Sequence, residues 1–206
     1  MHPNPAFRDT PDEISLAFAR GRGFGVLAVN GPDGPLLSHV PFLLSEDGRT
    51  AELHLVRSTA VARLGAGPVP AVLAVTGPEG YVSPDWYGIP DQVPTWNYVA
   101  VHLRGRLERR PQEELRGMLD RLSDAFEARL APKPAWTTGK MADATMERMM
   151  RQILPYRLEI AEVQGTWKLG QNKPQAARLG AADGLAATGA TDLATLMRAP
   201  PESDGQ

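Results

Sequence analysis

The stretch "VPTWNYVAVHLRGRL", residues 93–107, decides the fold because it carries a long and regular β pattern. Its apolar side chains at Val99, Val101, Leu103 and Leu107 recur at every second or fourth position, with polar or small residues between them. This period of two is typical of a strand that buries one face and exposes the other. The stretch therefore predicts one long strand of a sheet.

Shorter β patterns surround it. Six segments have the length and composition of strands: "FGVLAVN" (24–30), "PLLSHVPFLL" (35–44), "AELHLV" (51–56), "VPAVLAV" (69–75), "YVS" (81–83) and "YRLEIAEV" (156–163). The first two flank the turn "GPDG" and predict a hairpin. Helical patterns occur at five irregular places, near residues 11–20, 111–126, 146–153, 174–184 and 190–198. Strands in this succession favour a mainly β fold, an antiparallel barrel with peripheral helices, over a doubly wound sheet.

The length of 206 residues suits one domain. We predict a single domain over residues 1–198, with a C-terminal helical extension from about residue 174. Residues 199–206, "APPESDGQ", are rich in Pro and polar residues and predict a disordered tail.

Composition excludes several classes of protein. The absence of cysteine excludes disulfides, thiolate metal sites and thiol catalysis. A net charge of −2 gives no support to direct DNA binding, and no helix-turn-helix or basic arm is recognisable. No apolar run approaches the roughly 20 residues of a membrane span, and the first residues do not resemble a secretory signal, so we expect a cytoplasmic protein.

A turn suited to phosphate follows the third of these strands. In "HLVRSTAVARL", residues 54–64, Arg57, Ser58 and Thr59 stand where the strand ends and a helix is predicted to begin, and Arg63 lies one turn further on. Cations, hydroxyls and helix N-terminal N–H groups together favour a phosphate. An ordinary helix cap by Ser or Thr explains the same residues.

The second strand and the aromatic residues offer two more candidate surfaces. Ser38 and Val40 share one strand face and His39 and Pro41 the other, and a proline within a strand indicates a sheet edge. Five aromatic residues lie within 18 positions, which favours a stacking surface for a flat ligand, a subunit interface or a loop held by its own side chains: Tyr81, Trp86, Tyr87, Trp96 and Tyr98.

Three quoted segments together carry a family resemblance: "EGYVSPDWY" (79–87), "VPTWNYVAVHLRGRL" and "GTWKLGQNKP" (165–174). With "PLLSHVPFLL" and "HLVRS" in the matching order, they resemble the FMN-binding negative transcriptional regulator family, also called PaiB-like proteins, over about residues 1–185. The chain departs from the family pattern in having "VRST", Ala62 and "KLGQNK" where "ARAN", Trp and "KLSQNR" are usual.

The resemblance implies a flavin-type split β-barrel that forms a homodimer with FMN at the subunit interface. It implies phosphate contacts at Arg57, Ser58, Thr59 and Arg63, and a flavin ring resting on the second strand. The resemblance maps the ring onto Ser38, His39, Val40 and Pro41. We predict further cofactor contacts at His54, Trp96, Asn97, Lys168, Gln171 and Asn172.

Other chemistries remain open to the sequence. A flavin site is compatible with NAD(P)H-dependent reduction of small substrates, which would make the protein an oxidoreductase. Related barrels bind haem, and His39, His54 and His102 are the axial candidates. The histidine spacing matches no metal motif, so we predict no metal site, and the lack of G-x-S-x-G argues against a hydrolase.

Overall fold

The computed structural model describes residues 1–65 and 67–202. Its seven strands are β1 (Phe24–Gly31), β2 (Gly34–Pro41), β3 (Leu43–Leu44), β4 (Thr50–Val56), β5 (Val69–Val82), β6 (Thr95–Arg109) and β7 (Ile153–Lys168). They form one antiparallel sheet in the order β2-β1-β5-β6-β7-β4-β3. Of the predicted tail, residues 203–206 lie outside the described residues.

Five α-helices accompany the sheet: α1 (Asp12–Arg22), α2 (Leu115–Glu127), α3 (Asp143–Met150), α4 (Gln175–Ala187) and α5 (Thr191–Arg198). Each lies close to a helical pattern of the sequence. The face that α2 buries consists of Leu115, Met118 and Leu122, which follow the three-to-four-residue spacing of an amphipathic helix.

The predicted hairpin is confirmed. Strand β1 pairs with β2 in a register that places Phe24 opposite Pro41 and Gly31 opposite Gly34. Strand β2 is the first strand of the sheet order, so its outer backbone groups face no further strand of the sheet. The proline at 41 lies on an edge strand, as expected for a residue without an N–H donor.

The alternation in β6 is also confirmed, since Val99, Val101 and Leu103 are fully buried. Three predicted strands differ in extent from the structure. The segment 35–44 divides at Phe42 into β2 and β3, which lie at opposite ends of the sheet order. Strand β5 continues without a break from Val69 to Val82, although "TGPEG" within it resembles a turn, and β7 continues to Lys168. Gly77 explains part of this, because a Cβ there would lie 2.7 Å from Phe18 and 2.8 Å from Val99. The glycine lets the strand pack closely between the two segments, 69–75 and 81–83, that the sequence predicts as separate strands.

One glycine of β6 is required by the neighbouring backbone. A Cβ on Gly105 would lie 1.8 Å from the carbonyl oxygen of Glu159 in β7. No side chain fits at that distance, since the obstacle is backbone and not the end of a flexible side chain.

The chain divides into two compact units. Unit 2 contains Ala19–Ala74 and Leu103–Glu162. Its buried aliphatic side chains include Leu27, Leu53, Leu73, Leu103 and Leu158, one from each of β1, β4, β5, β6 and β7. At its surface Glu52, whose side chain is 14% exposed, accepts hydrogen bonds from Arg121 and Arg157.

Unit 1 contains Met1–Phe18, Val75–His102 and the chain from Val163 onward. Helices α4 and α5 bury Ala181, Leu185, Leu193 and Met197 in a cluster that includes Trp167. The Trp167 Nε1–H donates to the hydroxyl of Ser15 at 3.1 Å, so this buried indole is paired.

Candidate functional site

The turn after β4 in unit 2 places the predicted phosphate residues at the surface. The Arg57 Nε–H donates to the carbonyl oxygen of Arg151 at 2.6 Å, and Nη2 donates to Gln112 Oε1 at 2.9 Å. These bonds fix the plane of the guanidinium. Because arginine carries five N–H donors, the group retains donors for an anion beside these two contacts.

The helix that the sequence predicts after this turn is short. It is a single 3-10 turn, Val61–Leu64, with Ala60 at its N-terminal cap. Thr59 Oγ1 donates to the carbonyl oxygen of Val56 at 2.9 Å and accepts from the N–H of Ala62 at 3.3 Å. The hydroxyl of Thr59 therefore stabilises the turn, and one 3-10 turn supplies little of the dipole that a full helix would. The other residues predicted for the phosphate, Arg57, Ser58 and Arg63, are exposed.

Gln112 is the residue of this turn that the sequence did not reveal. Its Nε2 lies 3.2 Å from the carbonyl oxygen of Met150 and 3.3 Å from that of Ile153, while its Oε1 receives the Arg57 bond. Gln112 thereby connects Arg57 to two backbone segments. Nothing in the local sequence distinguishes it from an ordinary residue at the start of a helix.

The predicted ring-binding residues lie along β2, also in unit 2. Val40 is buried, Ser38 and Pro41 are half-buried, and His39 is exposed. The His39 imidazole stacks on the ring of Phe24, with centroids 6.5 Å apart and planes inclined by 26°. The edge strand therefore presents a flat, partly apolar surface beside open backbone groups, which suits a planar ring with polar edges.

His54 in β4 points away from the barrel core, as predicted, since its neighbours Leu53 and Leu55 are buried. Its Nδ1 atom is buried and has no hydrogen-bond partner among the described residues. Burial lowers the pKa of the imidazole. An unpaired buried nitrogen is uncommon, and a bound ligand is one of its ordinary explanations.

The predicted site residues of β6 lie in unit 1. Trp96 is 56% exposed, and its ring meets the exposed Tyr81 edge-on at 6.3 Å between centroids. Asn97 is 1% exposed, and its Nδ2 donates to the sulfur of Met197 at 3.3 Å. The Asn97 amide therefore lies in the core of unit 1, on the same strand face as Val99.

The turn after β7, also in unit 1, contains the other predicted contacts. Gln171 Oε1 accepts from the N–H of Leu169 at 2.8 Å, and its Nε2 donates to the carbonyl oxygen of Trp167 at 2.6 Å. Both ends of this amide are thus bound to their own turn. Asn172 is exposed, and the half-buried Lys168 donates to Thr95 Oγ1.

The predicted residues thus form two sets. Unit 2 contains the residues of β2, His54 and the turn at Arg57, and unit 1 contains Trp96, Asn97 and the turn after β7. Within the described ranges, no three His, Asp or Glu side chains are grouped as metal ligands. In the same residues, no helix has the length and apolar character needed to cross a membrane.

Comparisons with known proteins agree with this architecture. A family model described as "Putative FMN-binding domain" matches residues 1–162. The protease synthase and sporulation protein PAI 2 of Bacillus subtilis is 25% identical over 169 residues, which cover 81% of this chain and 80% of that protein. The predicted resemblance and the predicted FMN cofactor are confirmed by these matches.

Solved structures show the fold. The FAD and haem binding protein from Mycobacterium smegmatis matches with a TM-score of 0.56 and 20% identity, over 79% of this chain and 73% of that one. A conserved hypothetical protein, Rv2991, from Mycobacterium tuberculosis matches with a TM-score of 0.53 and 16% identity, over 82% and 92% of the two chains. The predicted antiparallel split β-barrel with peripheral helices is confirmed.

Proposed function

This chain belongs to the "Putative FMN-binding domain" family, and we propose that it holds FMN through the residues of unit 2. The phosphate binds at Arg57, Ser58 and Arg63, with Thr59 shaping the turn. The isoalloxazine rests on β2 from Ser38 to Pro41. The observation that carries this assignment is the Arg57 guanidinium, which Gln112 and Arg151 hold at the end of β4 with donors to spare.

The donor set fits the cofactor. A phosphate monoester is recognised by charge-assisted hydrogen bonds from guanidinium and hydroxyl groups. The unpaired Nδ1 of His54, which lies in β4 three residues before Arg57, is available for a polar edge of the bound flavin. When bound, FMN supplies hydride chemistry, and the protein residues bind and orient it.

A matched pair of ligands tests the phosphate assignment. Apoprotein is titrated with FMN and with riboflavin, which lacks the phosphate, and flavin fluorescence gives both dissociation constants. Arg57→Gln removes a charge-assisted bond of about 1.5–3 kcal/mol, so FMN affinity should fall at least about tenfold while riboflavin affinity holds. Arg49→Gln, at an arginine whose side chain is 83% exposed, is the control and should change neither affinity.

Two outcomes would refute parts of this proposal. An equal fall in FMN and riboflavin affinity for Arg57→Gln would show that Arg57 acts on the fold and not on the phosphate. Wild-type protein that binds neither flavin, with no rise in melting temperature at saturating FMN, would remove the unit 2 site altogether, since a ligand of the folded state must stabilise it.

We further propose a cytoplasmic homodimer in which a second copy of this chain covers the edge strand β2. The open edge supports this, because unpaired strand edges are usually covered. Sedimentation with and without FMN tests the dimer, and cell fractionation tests the compartment. The cofactor contacts inferred for Trp96, Asn97, Lys168, Gln171 and Asn172 remain predictions, and the described geometry gives Asn97 and Gln171 partners within unit 1.

The protein is PaiB-like, and its relative PAI 2 is described as a protease synthase and sporulation protein. We propose a regulatory role that works through bound FMN and not through a DNA-binding surface of this chain. A salt-sensitive, sequence-selective gel shift would show that this chain binds DNA directly and would contradict this proposal. FMN-dependent oxidation of NAD(P)H would instead indicate that the protein is an oxidoreductase. A Soret band on addition of haemin, lost in His54→Ala, would indicate that the protein binds haem.

A further inference from the structure

The guanidinium of Arg57 is held by two uncharged acceptors. Its Nε–H donates to the carbonyl oxygen of Arg151 at 2.6 Å, and its Nη2 donates to Gln112 Oε1 at 2.9 Å. Within the described part of the chain, no Asp or Glu oxygen lies within 4.0 Å of this guanidinium. Three other arginines of unit 2 each bind a glutamate instead: Arg110, Arg121 and Arg157. The contacts that fix Arg57 therefore leave its positive charge available to a ligand.

The amide of Gln112 has one orientation that satisfies its surroundings. Its Nε2 lies 3.2 Å from the carbonyl oxygen of Met150 and 3.3 Å from that of Ile153. An amide nitrogen has two N–H donors, and these two carbonyl oxygens accept both of them. The reverse orientation would place the amide oxygen against two other oxygens. The backbone around Gln112 thus directs Oε1 to Arg57.

The chain on both sides of Gln112 is also fixed. The N–H of Arg110 donates to the carbonyl oxygen of Pro155 at 2.9 Å. The Arg110 guanidinium forms hydrogen bonds of 3.2 and 3.0 Å with the two carboxylate oxygens of Glu114. Because these residues flank Gln112, its amide is a rigid acceptor for Arg57. A donor that is already oriented loses little entropy when it binds an anion.

We propose that Gln112 is a positioning residue of the phosphate site and that its neutral amide sets the selectivity of this site for a phosphate. The amide oxygen orients the Arg57 guanidinium without neutralising it. A glutamate at the same position would bind Arg57 as an ion pair, and a phosphate would then compete with that carboxylate. This inference rests on the proposed function and adds a residue that acts on the cofactor only through Arg57.

Two substitutions of Gln112 separate the position of Arg57 from its charge. Apoprotein is titrated with FMN and with riboflavin, and flavin fluorescence gives both dissociation constants. Gln112→Met has a similar length and lacks the amide, so FMN affinity should fall about threefold. Gln112→Glu retains an acceptor for Arg57 but adds a negative charge, so FMN affinity should fall at least about tenfold. Riboflavin affinity should hold in both variants, which also shows that they are folded.

The matched control is Gln152→Glu, which adds the same charge to a neighbouring part of the chain. Gln152 is exposed, and its carbonyl oxygen accepts from the N–H of Arg57 at 2.9 Å. A carboxylate there is screened by solvent and does not replace the side-chain acceptor of Arg57. FMN affinity should therefore fall by less than about threefold.

The ratio of the two dissociation constants is the decisive readout, because a purely structural role of Gln112 would weaken FMN and riboflavin together. Such a parallel loss would overturn the inference, and so would equal losses of FMN affinity in Gln112→Glu and Gln152→Glu. An unchanged ratio in both Gln112 variants would also overturn it, while a selective loss in Arg57→Gln would leave the phosphate assignment standing. If Arg57→Gln leaves FMN affinity unchanged, the phosphate assignment is refuted, and the role of Gln112 with it.

Discussion

Replacing Gly184 by alanine should destabilise the protein, although the same change stabilises most helices. Gly180 and Gly184 lie on one face of α4, against Trp86. A Cβ on Gly184 would lie 2.3 Å from Cδ2 of the Trp86 indole and 2.6 Å from Cγ. The backbone of Trp86 packs on the same helix face, since its carbonyl oxygen would lie only 2.5 Å from a Cβ on Gly180.

The expected change in the free energy of unfolding for Gly184→Ala follows from two opposing effects. Alanine is favoured over glycine in a helix interior by about 1 kcal/mol, and inserting a methyl into a packed interface costs about 1–3 kcal/mol. At contact distances this short we expect the upper part of that range, and so a net loss of about 2 kcal/mol in the free energy of unfolding. Displacing Trp86 also moves its neighbour Tyr87, the ring beneath Lys173.

Urea denaturation followed by circular dichroism measures the change. Gly21→Ala is the matched control, because it lies in α1 with nothing within 4 Å of the added Cβ. It should raise the free energy of unfolding by about 0.5–1 kcal/mol. In a Trp86→Ala background, Gly184→Ala should likewise raise the free energy of unfolding by about 0.5–1 kcal/mol. If Gly184→Ala stabilises the protein equally with Trp86 present and absent, the packing argument is refuted, since the double-mutant cycle would then contain no coupling.

Three further outcomes are expected. Gln171→Leu should lower the free energy of unfolding by about 1–3 kcal/mol in urea denaturation, because it leaves two backbone groups of the turn after β7 unpaired. Asn172→Ala, at the exposed neighbouring residue, should have little effect. Equal losses for the two variants would show that the Gln171 hydrogen bonds do not stabilise the turn. Glu52→Gln should lower the free energy of unfolding by about 1–3 kcal/mol in the same assay, because it removes the charge that binds Arg121 and Arg157. The loss should be smaller in high salt, which screens the two ion pairs, and a loss that does not depend on salt would contradict this explanation. Burial lowers the pKa of His54 below its usual 6.5, so the unfolded state binds the proton more readily and stability falls as the pH drops below 6.5. The melting temperature of His54→Leu should fall less than that of wild type between neutral and acidic pH, and identical pH profiles would show that His54 does not contribute.

The strand core was predictable from the sequence because alternation needs only local information. Val99, Val101 and Leu103 followed from the period of two, and the same parity places Asn97 on the buried face. The full length of β5 was not predictable, because "TGPEG" has the composition of a turn. Packing against Phe18 and Val99 decides its conformation, and those contacts are distant in sequence.

The candidate site, like the fold, was predictable from the sequence only in part. Arg57, Ser58 and Arg63 could be proposed from residue type and their place after a strand. The groups that fix them could not, since Gln112 reaches Arg57 across 55 positions of the chain. Lys173 was visible in the motif, but its partner Gln92 is 81 positions away, and only the fold brings the two together.

The close approach of β6 and β7 at Gly105 also bears on how the gene can vary. Every single-nucleotide change of a glycine codon that alters the residue adds at least a Cβ, and there that atom would lie 1.8 Å from the oxygen of Glu159. Point mutation therefore offers this codon no neighbouring amino acid that the backbone of β7 can accommodate. Drift at position 105 is restricted to synonymous codons unless the chain near Glu159 changes first.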